Sequence, residues 1–217
     1  MVNLIFKDIL IQKKTVMYML LYIVFAIFFM QGVGSNALYV LITVTIAFTV
    51  SSGAFAIDEK YGSEKVMASL PITRNQMVQA RYLSVFVYAA ASILIMALIG
   101  AVANLLNVQF IKLDYITLAV IKKILVSCVL VTSISYPVYF KFGYTKARIA
   151  SFIIFFAFFT SVVTVAENVS DGDASSFLSF INGLSSGSLQ LVGGLVLLLI
   201  FVVSYFISIN CYESKEL

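Results

Sequence analysis

The chain of 217 residues has no histidine and no tryptophan, two cysteines, two prolines, and only 14 basic and 10 acidic side chains. Each shortage closes a class of function. Without histidine there is no serine–histidine pair for an intramembrane serine protease, no histidine pair for a helical zinc protease and no imidazole ligand for haem. A Gly-x-x-x-x-Gly-Lys-Ser/Thr string is also missing, so the chain lacks the usual cradle for the phosphates of ATP. Cys128 and Cys211 have neither metal-binding nor redox spacing and read as packing residues. Asp171-Gly172-Asp173 is too short for a calcium loop and lacks the later glutamate of one. Asn168-Val169-Ser170 fits the glycosylation pattern, which is common by chance.

Charge is the scarcest commodity. A soluble domain carries roughly a quarter charged residues to cover its surface, whereas here the figure is 11%, with a mean hydropathy of +1.06. Lipid is the simpler home for such a surface. A helix crossing the bilayer core needs about 20 apolar residues, and six segments qualify, at approximately 16–35, 37–57, 81–104, 121–140, 148–166 and 189–209. Lys13 and Lys14 precede the first span as in a signal peptide. Its apolar run is roughly twice the length of a signal core, and no small-residue cleavage site precedes the second span, so it reads as a retained helix. The fold class is therefore an all-α polytopic membrane protein, a single transmembrane domain over 1–217.

Placing the N-terminus in the cytoplasm puts 11 of the 14 basic residues inside and leaves Lys112, Lys122 and Lys123 outside, the asymmetry expected of the positive-inside rule. Both termini are then cytoplasmic. The net charge of +4 expresses this topology, and no nucleic-acid partner follows from it. Within the spans the interiors carry no Asp, Glu, Lys or Arg. Ion-coupled carriers tolerate such charges at roughly 2.5–3.5 kcal/mol each because those groups bind the coupling ion. A secondary carrier would here depend on backbone carbonyls at broken helices, and no internal repeat marks two inverted halves.

Two polar stretches interrupt this pattern. In residues 2–14, Val2, Ile5, Phe6, Ile9 and Leu10 recur at helical spacing, with Asn3, Lys7, Asp8, Gln12, Lys13 and Lys14 on the complementary faces. The spacing predicts a helix over 1–15 lying on the inner membrane surface, either a lead-in to the first span or an interface helix for a cytoplasmic partner. The second stretch, 58–81, holds Asp58, Glu59, Lys60, Glu64, Lys65, Arg74 and Arg81. Ser63 is placed to cap a short helix with Glu64 in its first turn, continuing through Val66, Met67 and Leu70 until Pro71 stops it. Thr73 and Gln76 have capping-box spacing, so a new helix begins near Arg74, exposes Arg74, Gln76 and Gln79, and runs into the third span.

Weaker signals lie inside the membrane. Thr45, Thr49 and Ser52 share a face of the second span, and Thr160, Ser161 and Thr164 cluster in the fifth. They read either as interhelical hydrogen-bonding groups or as a mildly polar path lining. Ala97 and Ala101 have a close-packing spacing. Pro137 falls near the inner end of the fourth span, where a kink costs least. Phe177, Leu178, Phe180 and Ile181 suit either a partial helix dipping into the outer leaflet or a surface loop.

A basic amphipathic N-terminal helix, six spans, and after the second span Asp58-Glu59, Gly62 and then Ser69-Leu70-Pro71-Ile72-Thr73-Arg74 together resemble the small ABC-2 type permeases of bacterial ABC transporters. Val78 and a basic residue near Tyr82 extend the likeness, although Arg81 stands where the small members often have lysine. The resemblance implies a subunit of the bacterial cell membrane, paired with a second copy or a paralogous permease, that exports a hydrophobic or amphipathic substrate. It carries no cofactor itself, because ATP and Mg belong to separate ABC ATPase subunits. It also implies that 58–80 is the coupling segment, with Asp58, Glu59, Gly62, Glu64, Val66, Met67, Leu70, Pro71 and Arg74 at the ATPase interface. Ile5, Phe6, Lys7, Ile9 and Lys13 would belong to the interface helix, and Thr45, Thr49, Ser52, Thr160 and Thr164 to the path. A different class of function fits the same composition: a non-transporting scaffold or immunity protein that sequesters a toxic peptide.

Overall fold

A computed structural model describes residues 13–29, 34–62, 73–105, 115–171 and 186–214. Every element among them is an α-helix: α1 (Lys13–Phe29), α2 (Ser35–Tyr61), α3 (Arg74–Leu105), α4 (Leu118–Asp171) and α5 (Ser186–Glu213). In hydrocarbon each backbone N–H and C=O must be satisfied within the protein, and a helix does this inside one segment. The β-branched richness of a stretch such as Val40 to Ile46 therefore does not prevent helix formation. Four stretches are long and apolar enough to cross a membrane: Ser35–Tyr61, Arg74–Leu105, Leu118–Val162 and Val192–Glu213. The expected interface helix up to residue 12, the short helix over 63–70 and the 177–181 patch lie outside the described residues.

Helix α4 departs from expectation. Its Leu118–Val162 stretch of 45 residues would measure about 68 Å at 1.5 Å per residue, more than twice the bilayer core. Gly143 resolves this with φ 74° and ψ 169°, a backbone conformation open to glycine that interrupts the helix. The sequence suggested a link between spans ending near 140 and starting near 148. The observed link is one residue, because helical geometry persists up to Phe142 and resumes at Tyr144.

Helix α2 is the hub, packed against α1, α3 and α4, while α5 closes the bundle against α3 and α4. Two cores result. One is mainly aliphatic, with Ile23, Ile27, Leu38, Ile42, Val44, Met96, Ile124 and Val131 buried together. The other is aromatic and lies near residues 58 and 81: Phe55 stands 5.2 Å from Tyr136, 5.1 Å from Tyr139 and 5.2 Å from Phe140, ring centre to ring centre. A tight contact occurs at Gly100, where an added Cβ would lie 3.2 Å from Cζ of buried Tyr39 and still nearer its hydroxyl. The small-residue signal at Ala97 and Ala101 thus sits on the right turn of α3, but Gly100 makes the contact. Outward, Leu21, Phe28, Leu94, Leu98, Phe152, Phe156, Leu195 and Leu199 are exposed. A surface of that kind suits lipid contact.

Candidate functional site

The site is the end of the bundle where α2 stops and α3 starts. Gly62 terminates α2 in the left-handed conformation (φ 62°, ψ 25°), its N–H directed to the carbonyls of Asp58 and Glu59. The cap thereby holds two consecutive acids on the last turn of α2, where helical spacing points them at different neighbours.

Asp58 turns inward. It is ion-paired with Arg81 of α3, and the two side chains are only 6% and 10% exposed. The Arg81 guanidinium also lies 4.8 Å from the centre of the Phe55 ring and donates to the Ala54 carbonyl at 3.4 Å. Cation–π attraction and a carboxylate together offset the loss of water around a buried arginine. Asp58 and Arg81, which bound the polar 58–81 stretch in the sequence, are thus buried and paired with each other.

Glu59 turns toward α4. Its carboxylate accepts the backbone N–H groups of Tyr144 and Thr145, the latter at 3.1 Å, and the Thr145 hydroxyl. These are the first residues beyond Gly143, so Glu59 caps a helix that belongs to another part of the chain. The free N–H groups and positive dipole end of a helix favour such a carboxylate.

The far side of the site is made by α3 and α5. Thr73 Oγ1 accepts the Gln76 N–H at 3.3 Å while Gln76 Oε1 accepts the Thr73 N–H at 3.2 Å, a reciprocal capping box. Arg74, expected to be exposed, is half-buried and donates to the carbonyls of Tyr212 at 2.9 Å and Glu213 at 2.8 Å. It thereby satisfies carbonyls at the C-terminus of α5, where a cation is favoured. Gln79 is likewise engaged, donating to the Tyr205 hydroxyl at 2.9 Å.

A buried hydroxyl chain runs behind this layer. Ser204 Oγ donates to the Ser133 carbonyl at 2.6 Å and lies 2.7 Å from Tyr82 Oη, which is 2.8 Å from Ser208 Oγ. A hydroxyl has one proton to give. Ser204 gives its proton to Ser133, so Tyr82 must donate to Ser204 and accept from Ser208. Tyr136 Oη likewise pairs with Ser51 Oγ and lies 3.4 Å from the Arg81 carbonyl. These links join α2, α3, α4 and α5. Sequence reasoning missed them, although Ser204 and Ser208 share a helix face and could have marked α5 as polar on one side.

Of the remaining candidates, Glu64, Val66, Met67, Leu70 and Pro71, with Ile5, Phe6, Lys7 and Ile9, lie outside the described residues, and Lys13 is the first residue of α1. Thr45, Thr49 and Ser52 donate to the carbonyls of Leu41, Thr45 and Thr49 in their own helix. Thr160 donates to Ala157, and Thr164 belongs to the second arm of α4. No group of three metal-ligating side chains occurs among the described residues.

The arrangement is mechanical: Asp58 and Glu59 tie the end of α2 to α3 and α4, and Arg74 ties the start of α3 to α5. The sequence matches the family described as ABC-2 family transporter protein over residues 3–213. No curated protein and no solved structure matches it. A bundle of apolar helices with a polar joint at one end, matched over nearly its whole length, makes this chain a membrane permease of the ABC-2 transporter family.

Proposed function

We propose that the chain is the membrane-spanning subunit of an ATP-driven exporter, with six crossings made by α1, α2, α3, the two arms of α4, and α5. Both termini face the cytoplasm of a bacterial cell. Two copies, or this chain and a paralogous permease, form the translocating unit, and two ABC ATPase subunits supply ATP and Mg. Glu64, Val66, Met67 and Leu70 seat in an ATPase groove, with Pro71 ending that helix. Asp58, Glu59, Gly62 and Arg74 frame it, and residues 2–14 lie alongside. The substrate is hydrophobic or amphipathic, a peptide, drug or lipid-like molecule, moving past Thr45, Thr49, Ser52, Thr160 and Thr164. Because the hydroxyls of Thr45, Thr49, Ser52 and Thr160 are directed to carbonyls of their own helices, the surface they offer is weakly polar and uncharged, which suits such a cargo.

The observation that carries this reading is the family match over 3–213, since permeases of this kind leave ATP hydrolysis to partner chains. The test is to purify the chain with its ATPase in lipid nanodiscs. Met67→Asp should abolish the permease-dependent stimulation of ATP hydrolysis, because a carboxylate on the apolar face of a docking helix would have to be desolvated. Unchanged stimulation would overturn the assignment of the docking helix. Failure of any ATPase to copurify would favour the peptide-sequestering scaffold.

A further inference from the structure

We infer that the outward groove between α3, α4 and α5 holds one acyl chain of a phospholipid, drawn from the leaflet on the side of the α2–α3 joint, as a structural ligand. The inference needs only that these helices lie in a bilayer. It stands apart from the ATP-driven reading and from the cargo path.

The groove consists of two adjoining hollows, of about 260 and 310 Å³, that share Phe86 and Phe201. One continues past Val129 to Gly194, and the other reaches Gln79 and Tyr205. Its floor is preformed: Tyr82 is buried, bonded to Ser204 and Ser208, and its ring meets Phe201 edge-on at 5.2 Å. A site that is already shaped loses little freedom when it is filled. On the rim, Leu83, Leu125 and Leu198 are exposed, so the opening faces the surface that lipid covers. Gly194 adds depth, since a Cβ there would meet nothing within 4 Å.

Length and polarity select the occupant. From Gly194 to Tyr205, α5 rises about 17 Å, close to the roughly 15 Å of hydrocarbon in one leaflet. Spread over that length, hollows of this size are far narrower than the roughly 10 Å of a packed helix. A hydrocarbon chain enters where a helix cannot. The apolar lining changes character at one end only, where Gln79 Nε2 donates to the Tyr205 hydroxyl at 2.9 Å. That hydroxyl keeps its own proton to give, which suits a phosphate oxygen. Helix α3 has 32 residues and measures about 48 Å, against a hydrocarbon core of about 30 Å. Its first turns, Gln79 included, therefore stand at headgroup level, a depth at which tyrosine is favoured. Arg74, bonded to the Tyr212 and Glu213 carbonyls, brings a positive charge to the same end. A bare alkane has no group for that end, whereas a phospholipid matches both parts of the groove.

The test uses the full chain in detergent, stripped of lipid and titrated with phosphatidylglycerol. Native mass spectrometry should show one phospholipid retained per chain at saturation. Thermal unfolding should move upward with lipid concentration, as for any ligand that binds only the folded state. Gly194→Leu fills the open space with a better helix former and should lose the retained lipid; Gly193→Leu, outside the lining, should keep it. Tyr205→Phe should weaken phosphatidylglycerol several-fold and leave diacylglycerol, which has no phosphate, unchanged. Because the chain has no tryptophan, Phe86→Trp places a single fluorophore in the groove. Phosphatidylglycerol brominated on its acyl chains should quench it at a lower lipid ratio than Leu195→Trp, on the exposed face of α5. Equal retention in Gly194→Leu and the parent, or equal quenching at 86 and 195, would reduce the lipid to a general annulus and overturn the inference. If Gly194→Leu instead splits an oligomer, the groove is an interface between copies and the inference falls. Saturable lipid binding lost in Gly194→Leu, with no ATPase copurifying, would uphold it while the ATP-driven reading fails.

Discussion

Asp58 and Arg81 form a buried ion pair between the last turn of α2 and the second turn of α3, beneath the Phe55 ring. Placed there, the pair fixes the register of the two helices that flank the 63–72 segment. Removing one partner leaves the other charged and without water.

Asp58→Ala or Arg81→Met should therefore each lower stability by about 3–5 kcal/mol. The double variant Asp58→Leu with Arg81→Met should recover much of that loss. Thermal unfolding in detergent, followed by a thiol-reactive dye that reports exposure of buried Cys128, measures both. A single variant that melts with the parent would show that the pair contributes nothing.

Gly143→Ala forces a side chain into a positive-φ conformation and toward the Glu59 carboxylate. The expected cost is about 1–3 kcal/mol. Part of it arises from the contact, so the penalty should shrink in a Glu59→Ala background; the melting temperatures of the four proteins in that cycle check the coupling.

Gly100→Ala places a methyl group where the Tyr39 hydroxyl sits. Overpacking of a buried site costs about 1–3 kcal/mol. Tyr39→Phe should relieve much of it when combined with Gly100→Ala, and equal melting temperatures for Gly100→Ala and the parent would refute the close contact.

Thr73→Ala removes the side-chain half of the capping box that begins α3. A loss of about 1 kcal/mol is expected, localised to the first turn. Hydrogen exchange should show faster opening at Gln76 and unchanged protection near Met96.

The caps were the most legible part of the site, because a capping box is a local device. Thr73 and Gln76 are three residues apart, and their reciprocal bonds are those that the spacing predicts. Gly62 could be read as important, but its role in closing α2 and aiming Asp58 and Glu59 was not visible. Arg74 and Gln79 were expected to face water. Their partners, the carbonyls of Tyr212 and Glu213 and the Tyr205 hydroxyl, lie more than a hundred residues away, and no periodicity announces them. The break in α4 was expected as a loop, since a run of Lys141, Lys146 and Arg148 resembles a polar link. A single glycine served instead because Glu59 supplies the cap from outside the segment.

Composition and the apolar runs of about 20 residues together determined that this chain is a helical membrane protein: so little charge suits a surface in lipid, lipid admits only structures that pair their own backbone groups, and runs of that length fit spanning helices. Local spacing determined where α3 begins. Which acid pairs with which base, and which helix end each carboxylate caps, was decided only by the packing of α2 among α3, α4 and α5. The reason is physical. Burial strips water from every polar group at once, and the partner that replaces it must be the nearest in space, whatever its distance along the chain.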